Sequence, residues 1–203
     1  GQQVALKGTL AGKPLDARAV LGGGNVLAVT GEALGGPLSG RYDLQAGTLR
    51  AELNPEFGGA SARVNLAGTP DDLNAVISGG QVGPFALSGQ ARLTGTGLTA
   101  ELSSGESGRL NLNLNPQFRG SWQAQNLSGA GVTLGGSGRL DLAGGALSGT
   151  LKAAVPGLDA PLSGPLSVNF ARQTGVYSPG AQRLTWNGQT FGLNAQIGRA
   201  HVW

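Results

Sequence analysis

Cysteine and methionine are absent from this chain, and histidine occurs once, as His201. Without cysteine there is no disulfide framework, no thiolate nucleophile and no cysteine metal site. A single histidine near the C-terminus leaves serine or cysteine nucleophiles without a base. No catalytic residue, cofactor or metal ligand is therefore expected, and the chain is not read as an enzyme. Aromatics make up 5% of residues, which is low for filling a compact core, and no apolar run approaches the length of a membrane-spanning helix. The 14 Lys and Arg residues face 11 Asp and Glu and form no cluster, so the basic balance carries no footprint for nucleic acid. The missing methionine and the start at Gly1 lead us to expect a fragment of a longer chain.

Helix is also excluded. No stretch free of Gly and Pro is long enough for three helical turns, and each interior glycine costs a helix roughly 1 kcal/mol relative to alanine. The 38 glycines have no three-residue period, so collagen is excluded too. What the chain does contain is alternation. Arg109-Leu110-Asn111-Leu112-Asn113-Leu114-Asn115 places Leu110, Leu112 and Leu114 on one side of a strand. Arg63-Val64-Asn65-Leu66 alternates likewise, and Leu49, Ala51 and Leu53 point away from Arg50 and Glu52. Asn187-Gly188 between Leu184-Thr185-Trp186 and Gln189-Thr190-Phe191 reads as a type I′ hairpin.

The pattern returns every 49 residues. Ser39-Gly40-Arg41-Tyr42-Asp43-Leu44 followed by Leu49-Arg50-Ala51-Glu52-Leu53 is one copy. Ser88-Gly89-Gln90-Ala91-Arg92-Leu93 with Leu98-Thr99-Ala100-Glu101-Leu102 is the next, and Ser137-Gly138-Arg139-Leu140-Asp141-Leu142 with Leu147-Ser148-Gly149-Thr150-Leu151 the third. Each reads as a strand, a four-residue turn and a returning strand. Such a period marks an elongated repeat in which each unit buries its apolar face against its neighbours. A second phrase, Asn54-Pro55-Glu56-Phe57 against Asn115-Pro116-Gln117-Phe118, is spaced by 61, a slip of about one strand plus a turn. The fold class expected is all-β: one long, elongated antiparallel sheet of roughly 16 strands, too long to stay flat, which must curl, twist or fold back on itself.

Motifs for chemistry fail one by one. Asp71-Asp72 beside Pro70 reads as a solvated turn. Gly95-Thr96-Gly97-Leu98-Thr99-Ala100 has dinucleotide-site spacing but no helix can follow, so it reads as a repeat turn. Gly135-Gly136-Ser137-Gly138 lacks the aspartate of a calcium nonapeptide, and Gly12-Lys13-Pro14 lacks the rest of a phosphate loop. The leucine stripe remains. Leu44, Leu49, Leu53, Val64, Leu66, Leu93, Leu98, Leu102, Leu110, Leu112, Leu114, Leu140, Leu142, Leu147 and Leu151 are the expected lining. They fill either a closed core, as in a sandwich or β-solenoid, or an apolar groove open along its length. Scarce aromatic fillers and the lack of a regularly spaced polar group favour the groove. A transmembrane barrel should show aromatic girdles, which this chain lacks.

In Leu87-Ser88-Gly89-Gln90-Ala91-Arg92-Leu93 and Gly136-Ser137-Gly138-Arg139-Leu140-Asp141-Leu142-Ala143-Gly144-Gly145-Ala146-Leu147, the chain resembles the central β-repeat region of the TamB family, within the AsmA-like envelope proteins. The resemblance covers residues 1–196 and rests on style and periodicity. Residues 197–203, beginning Ile197-Gly198-Arg199, read either as a non-native tail or as a native strand end. The resemblance implies a trough-shaped sheet in the periplasm, in a parent protein anchored in the inner membrane. It implies phospholipid acyl chains as cargo moving between the inner and outer membranes. An outer-membrane assembly barrel is implied as partner, through regions this chain does not contain. The other class kept open is an adhesin or passenger-type solenoid with a closed core.

Overall fold

The computed structural model describes residues 3–10, 13–57, 60–170, 172–188 and 191–195. The expected tail at 197–203 lies outside the described residues, as do Gly12 and Gln189-Thr190. Trp186 pairs with Phe191, so the connection after Asn187-Gly188 is longer than the expected two-residue turn. The chain is all-β, and among the described residues a three-residue 3-10 turn at Gly23–Asn25 is the one departure from strands and turns. Its N-terminal strands are β1 (Gln3–Leu10), β2 (Lys13–Leu21), β3 (Val26–Ala33), β4 (Gly36–Asp43), β5 (Thr48–Leu53) and β6 (Glu56–Phe57). The middle strands are β7 (Ala60–Thr69), β8 (Asp72–Val82), β9 (Phe85–Thr94), β10 (Gly97–Ser104), β11 (Gly108–Leu114) and β12 (Arg119–Gly129). The last are β13 (Val132–Asp141), β14 (Ala146–Ala154), β15 (Leu162–Asn169), β16 (Thr174–Tyr177), β17 (Gln182–Asn187) and β18 (Phe191–Ala195).

All belong to one open antiparallel sheet in which each strand pairs with the next, apart from one break. The break is at Asn54-Pro55. β5 and β6 both pair with β7 in a common register (Leu53↔Val64, Glu56↔Ser61), so they are one strand interrupted where proline supplies no N–H. The hairpin turns alternate between two long rims. Four strands per repeat return each repeat turn to the same rim, whereas the 61-residue spacing adds a strand. Asn54-Pro55 accordingly lies towards one rim and the Asn115–Phe118 turn on the other.

The cross-strand register sorts the side chains. On one face lie Leu27 and Val29 of β3, Leu38 of β4, Leu66 of β7, Leu73 and Ile77 of β8, then Leu87, Leu112, Trp122 and Leu140. From β1 to β17 the polar residues of this face, among those whose side chains are described, are Ser104 and Gln182, besides the tyrosines and tryptophans. Among the residues whose side chains are described, every charged strand residue falls on the opposite face. There, cross-strand ion pairs join Lys7 to Asp16, Arg63 to Glu52, Arg92 to Asp72 and Arg119 to Asp141, all between adjacent strands. Such exposed pairs help fix register and contribute little stability.

The three repeated glycines, Gly40, Gly89 and Gly138, all lie on the apolar face. A methyl group on Gly40 would sit 2.7 Å from the Ala51 Cβ, one on Gly89 2.9 Å from the Leu102 Cα, and one on Gly138 2.5 Å from the Gly149 Cα. The returning strand of each repeat leans over its glycine on the apolar side, and no side chain fits between them. This is why the phrase Ser-Gly recurs with the period.

Candidate functional site

Of the fifteen expected lining residues, thirteen share the apolar face. Leu53 pairs with Val64, Leu93 with Leu98, Leu98 with Leu114, Leu102 with Leu110 and Leu140 with Leu147, while Leu49, Leu66, Leu112 and Leu151 stand on the same face in their own strands. Leu44 and Leu142 do not. They sit in hairpin turns, 48% and 40% exposed. Their placement corrects the repeat alignment, and the cause is the residue before them. The Asp43 carboxylate accepts the backbone N–H of Gln45 and of Ala46, both at 2.9 Å, and Asp141 accepts that of Gly144 at 2.7 Å. An aspartate bonded to its own turn ends the strand there. The second repeat has Arg92 at this position, which cannot accept such a bond. Arg92 instead clamps Asp72 through two hydrogen bonds of 2.8 and 2.7 Å. The strand then runs on to Thr94 and closes over Gly95-Thr96. The expected four-residue turn is thus two residues long in this repeat. Register differs accordingly: Tyr42↔Leu49 and Leu140↔Leu147 correspond, but the second repeat pairs Leu93↔Leu98. A shift of two keeps the same face, so the stripe survives.

The apolar face is not uniform along the sheet. In the centre, Leu87, Leu114, Trp122, Ala124, Leu127 and Leu140 form a closed cluster, with Leu102, Leu110 and Leu112 packed partly buried against it. Leu114 is 2% exposed, which a single flat sheet cannot achieve. Two β-bulges explain it. One interrupts β8 against β9 between Ile77 and Gly80, the other β12 against β13 between Ala124 and Leu127. Bulges bend a strand and increase its twist. Between them the β10–β11 hairpin stops short, and β9 reaches β12 across it. A methyl group on Gly129 would stand 3.0 Å from the Phe85 ring. Trp122 fills the resulting space, lying over Gly136 and Gly138 and donating its indole N–H to the Ser148 carbonyl at 3.0 Å.

Towards the N-terminus the same face is only half covered. Leu27, Val29, Leu38, Leu49, Val64, Leu66, Leu73 and Ile77 are half-buried, whereas Leu53 and the small Ala17, Ala19 and Ala33 are buried. On β15–β17 an apolar groove of about 220 Å³ is lined by Leu166, Val168, Tyr177, Leu184 and Trp186. Tyr177 donates its hydroxyl to the Leu162 carbonyl at 2.8 Å, and burial pushes its phenol above the ordinary range. Sequence reasoning passed over Trp122, Leu87 and Leu127. The first was legible in the alternation Ser121-Trp122-Gln123-Ala124, but the Asn126 bulge inverts the phase before Leu127.

No protein-family model, curated protein or solved structure matches the chain. Among the described residues no three His, Cys, Asp or Glu side chains gather into a group able to hold a metal ion. What the face offers a ligand is contact with hydrocarbon. Burial of apolar surface there is worth about 25 cal/mol per Å² and has no directional preference.

Proposed function

We propose that the chain is a segment of a TamB-like periplasmic trough whose apolar face carries phospholipid acyl chains between the inner and outer membranes. One observation carries this reading: from β3 to β8 most of the Leu, Val and Ile of this face, Leu53 excepted, are left half-buried, and among the described residues no second layer covers them. The repeated glycines support a concave face, because each brings a neighbouring strand over on the apolar side. An acyl chain spans about half the bilayer core, roughly 15 Å, which is about five residues of strand. Each methylene transferred from water onto the face contributes about 0.8 kcal/mol. A lining without polar anchors holds no single site, so a lipid can slide along it. Partnership with an outer-membrane assembly barrel belongs to regions outside this chain and to the same proposal.

The closed central cluster favours a second reading, a solid-core adhesin or passenger module. Lipid extraction separates the two. The trough reading expects purified chain to retain phospholipid detectable by mass spectrometry, and Leu66→Arg to lose it while staying folded. A chain that carries no lipid after exposure to phospholipid vesicles would favour the solid core.

A further inference from the structure

The face opposite the leucines carries a depression of about 830 Å³ at the rim, built by β11 to β14. Its floor is a cross-strand row, Asn113–Ser121–Arg139–Ser148, with each residue the register partner of the next. Asn115, Arg119 and Asp141 close the rim side. The charges there are not equivalent. Asp141 is already engaged: it accepts the Gly144 N–H, pairs with Arg119 at 2.9 Å, and its carboxyl is held below the ordinary range, chiefly by that N–H. Arg139 is the free cation. Among the described residues it forms no ion pair and no side-chain hydrogen bond. Asn115 turns its Oδ1 to the N–H groups of Gln117 and Arg119, both at 3.0 Å, which leaves its NH₂ to donate outward. An uncommitted guanidinium among amide and hydroxyl donors, with the nearby carboxylate paired to Arg119, suits an anion with several oxygens.

The rim above decides which anion. Phe118 and Leu142, 38% and 40% exposed, stand at the tips of the β11–β12 and β13–β14 turns. The Leu142 N–H donates to the Phe118 carbonyl at 3.0 Å, and the Phe170 N–H to the Gly145 carbonyl at 2.6 Å. Three apolar turn tips are thereby laced into one ridge, with Phe170 49% exposed. An oxyanion site directly below an apolar ridge matches a molecule that joins a phosphate to hydrocarbon. We propose that this rim is a docking site for the phosphodiester head group of an anionic phospholipid at a bilayer surface. Arg139 holds the phosphate, and Phe118, Leu142 and Phe170 enter the acyl boundary. The site lies on the opposite face from the leucine row and stands whether or not that row carries lipid.

The test is co-sedimentation of the chain with phosphatidylglycerol vesicles, alongside calorimetric titration with inorganic phosphate. The chain is expected to pellet with the vesicles, less so as salt rises. Arg139→Gln should weaken that binding about fivefold, and Phe118→Ser with Leu142→Ser should weaken it further. Arg109→Gln, on the same face but at the far end of β11, should leave it unchanged. Asn113→Asp is the second probe: it adds a repelling carboxylate and should act like Arg139→Gln, with circular dichroism checking that each variant remains β-folded. Failure to pellet overturns the proposal, and so does equal weakening by Arg109→Gln and Arg139→Gln. Binding of inorganic phosphate without vesicle binding would assign the depression to soluble phosphates and overturn the lipid docking.

Discussion

The centre of the sheet and its N-terminal half are built from the same alternation, yet they treat their leucines differently. Around β9–β13 the apolar face closes on itself, and Leu114 and Trp122 are almost fully buried. Around β3–β8 equivalent residues such as Val64, Leu66 and Ile77 remain half-buried. Composition does not separate the two regions. Two bulges, a short β10–β11 hairpin and one tryptophan do. A uniform repeat can thus hold a fixed plug of core at one point and leave an apolar face accessible beside it.

The largest expected effect tests that contrast with one substitution at two places. Leu114→Arg buries an unpaired charge and should cost on the order of 3–5 kcal/mol, a large part of a domain's whole stability. Leu66→Arg can carry its guanidinium to water along the half-covered face and should cost about 1 kcal/mol or less. Denaturant midpoints of the two variants check this, and equal losses would erase the distinction. Trp122→Ala should follow Leu114→Arg closely, at about 3–5 kcal/mol, since it empties the centre and removes the indole hydrogen bond to the Ser148 carbonyl.

Glycine gives the next contrast. Gly138→Ala places a methyl 2.5 Å from the Gly149 Cα, so β13 and β14 must move apart, at about 1–3 kcal/mol. Gly8 on β1 has nothing within 4 Å of its would-be Cβ, and Gly8→Ala should be neutral or slightly stabilising. Thermal melts of the pair measure the difference.

Much of this was legible in the sequence, and the failures share a cause. Strict alternation in Arg109–Leu114 identified a face correctly, because pleat parity follows from covalent geometry. The 49-residue period gave the repeat, but not where each strand stops. That was decided by whether residue 43, 92 or 141 can accept a turn N–H, and Leu44 and Leu142 were misplaced for this reason. Closure of the centre was not legible. Bulges at Gly79 and Asn126 come from left-handed backbone at φ +58° and +49°, and only long-range pairing determines their consequence.

A smaller effect sharpens the repeat comparison. Asp141→Asn should lower the melting temperature slightly at neutral pH. The folded carboxyl lies below its ordinary pKa, first through the Gly144 N–H, so its contribution is present above the unfolded value and lost as pH falls through the folded one. The gap between wild type and variant should therefore close in acid. A gap that persists below that pH would contradict the capping role.

The most direct measurement of the central claim is photo-crosslinking on the purified chain mixed with phospholipid vesicles. A photo-reactive residue is placed at position 65, 66 or 114 in turn. Leu66 is chosen because it lies away from the central cluster, against which Leu112 packs. The account predicts lipid adducts at 66, few at Asn65 on the charged face, and few at 114 inside the plug. Equal labelling at 65 and 66, or none at 66, would contradict an accessible apolar face that carries lipid.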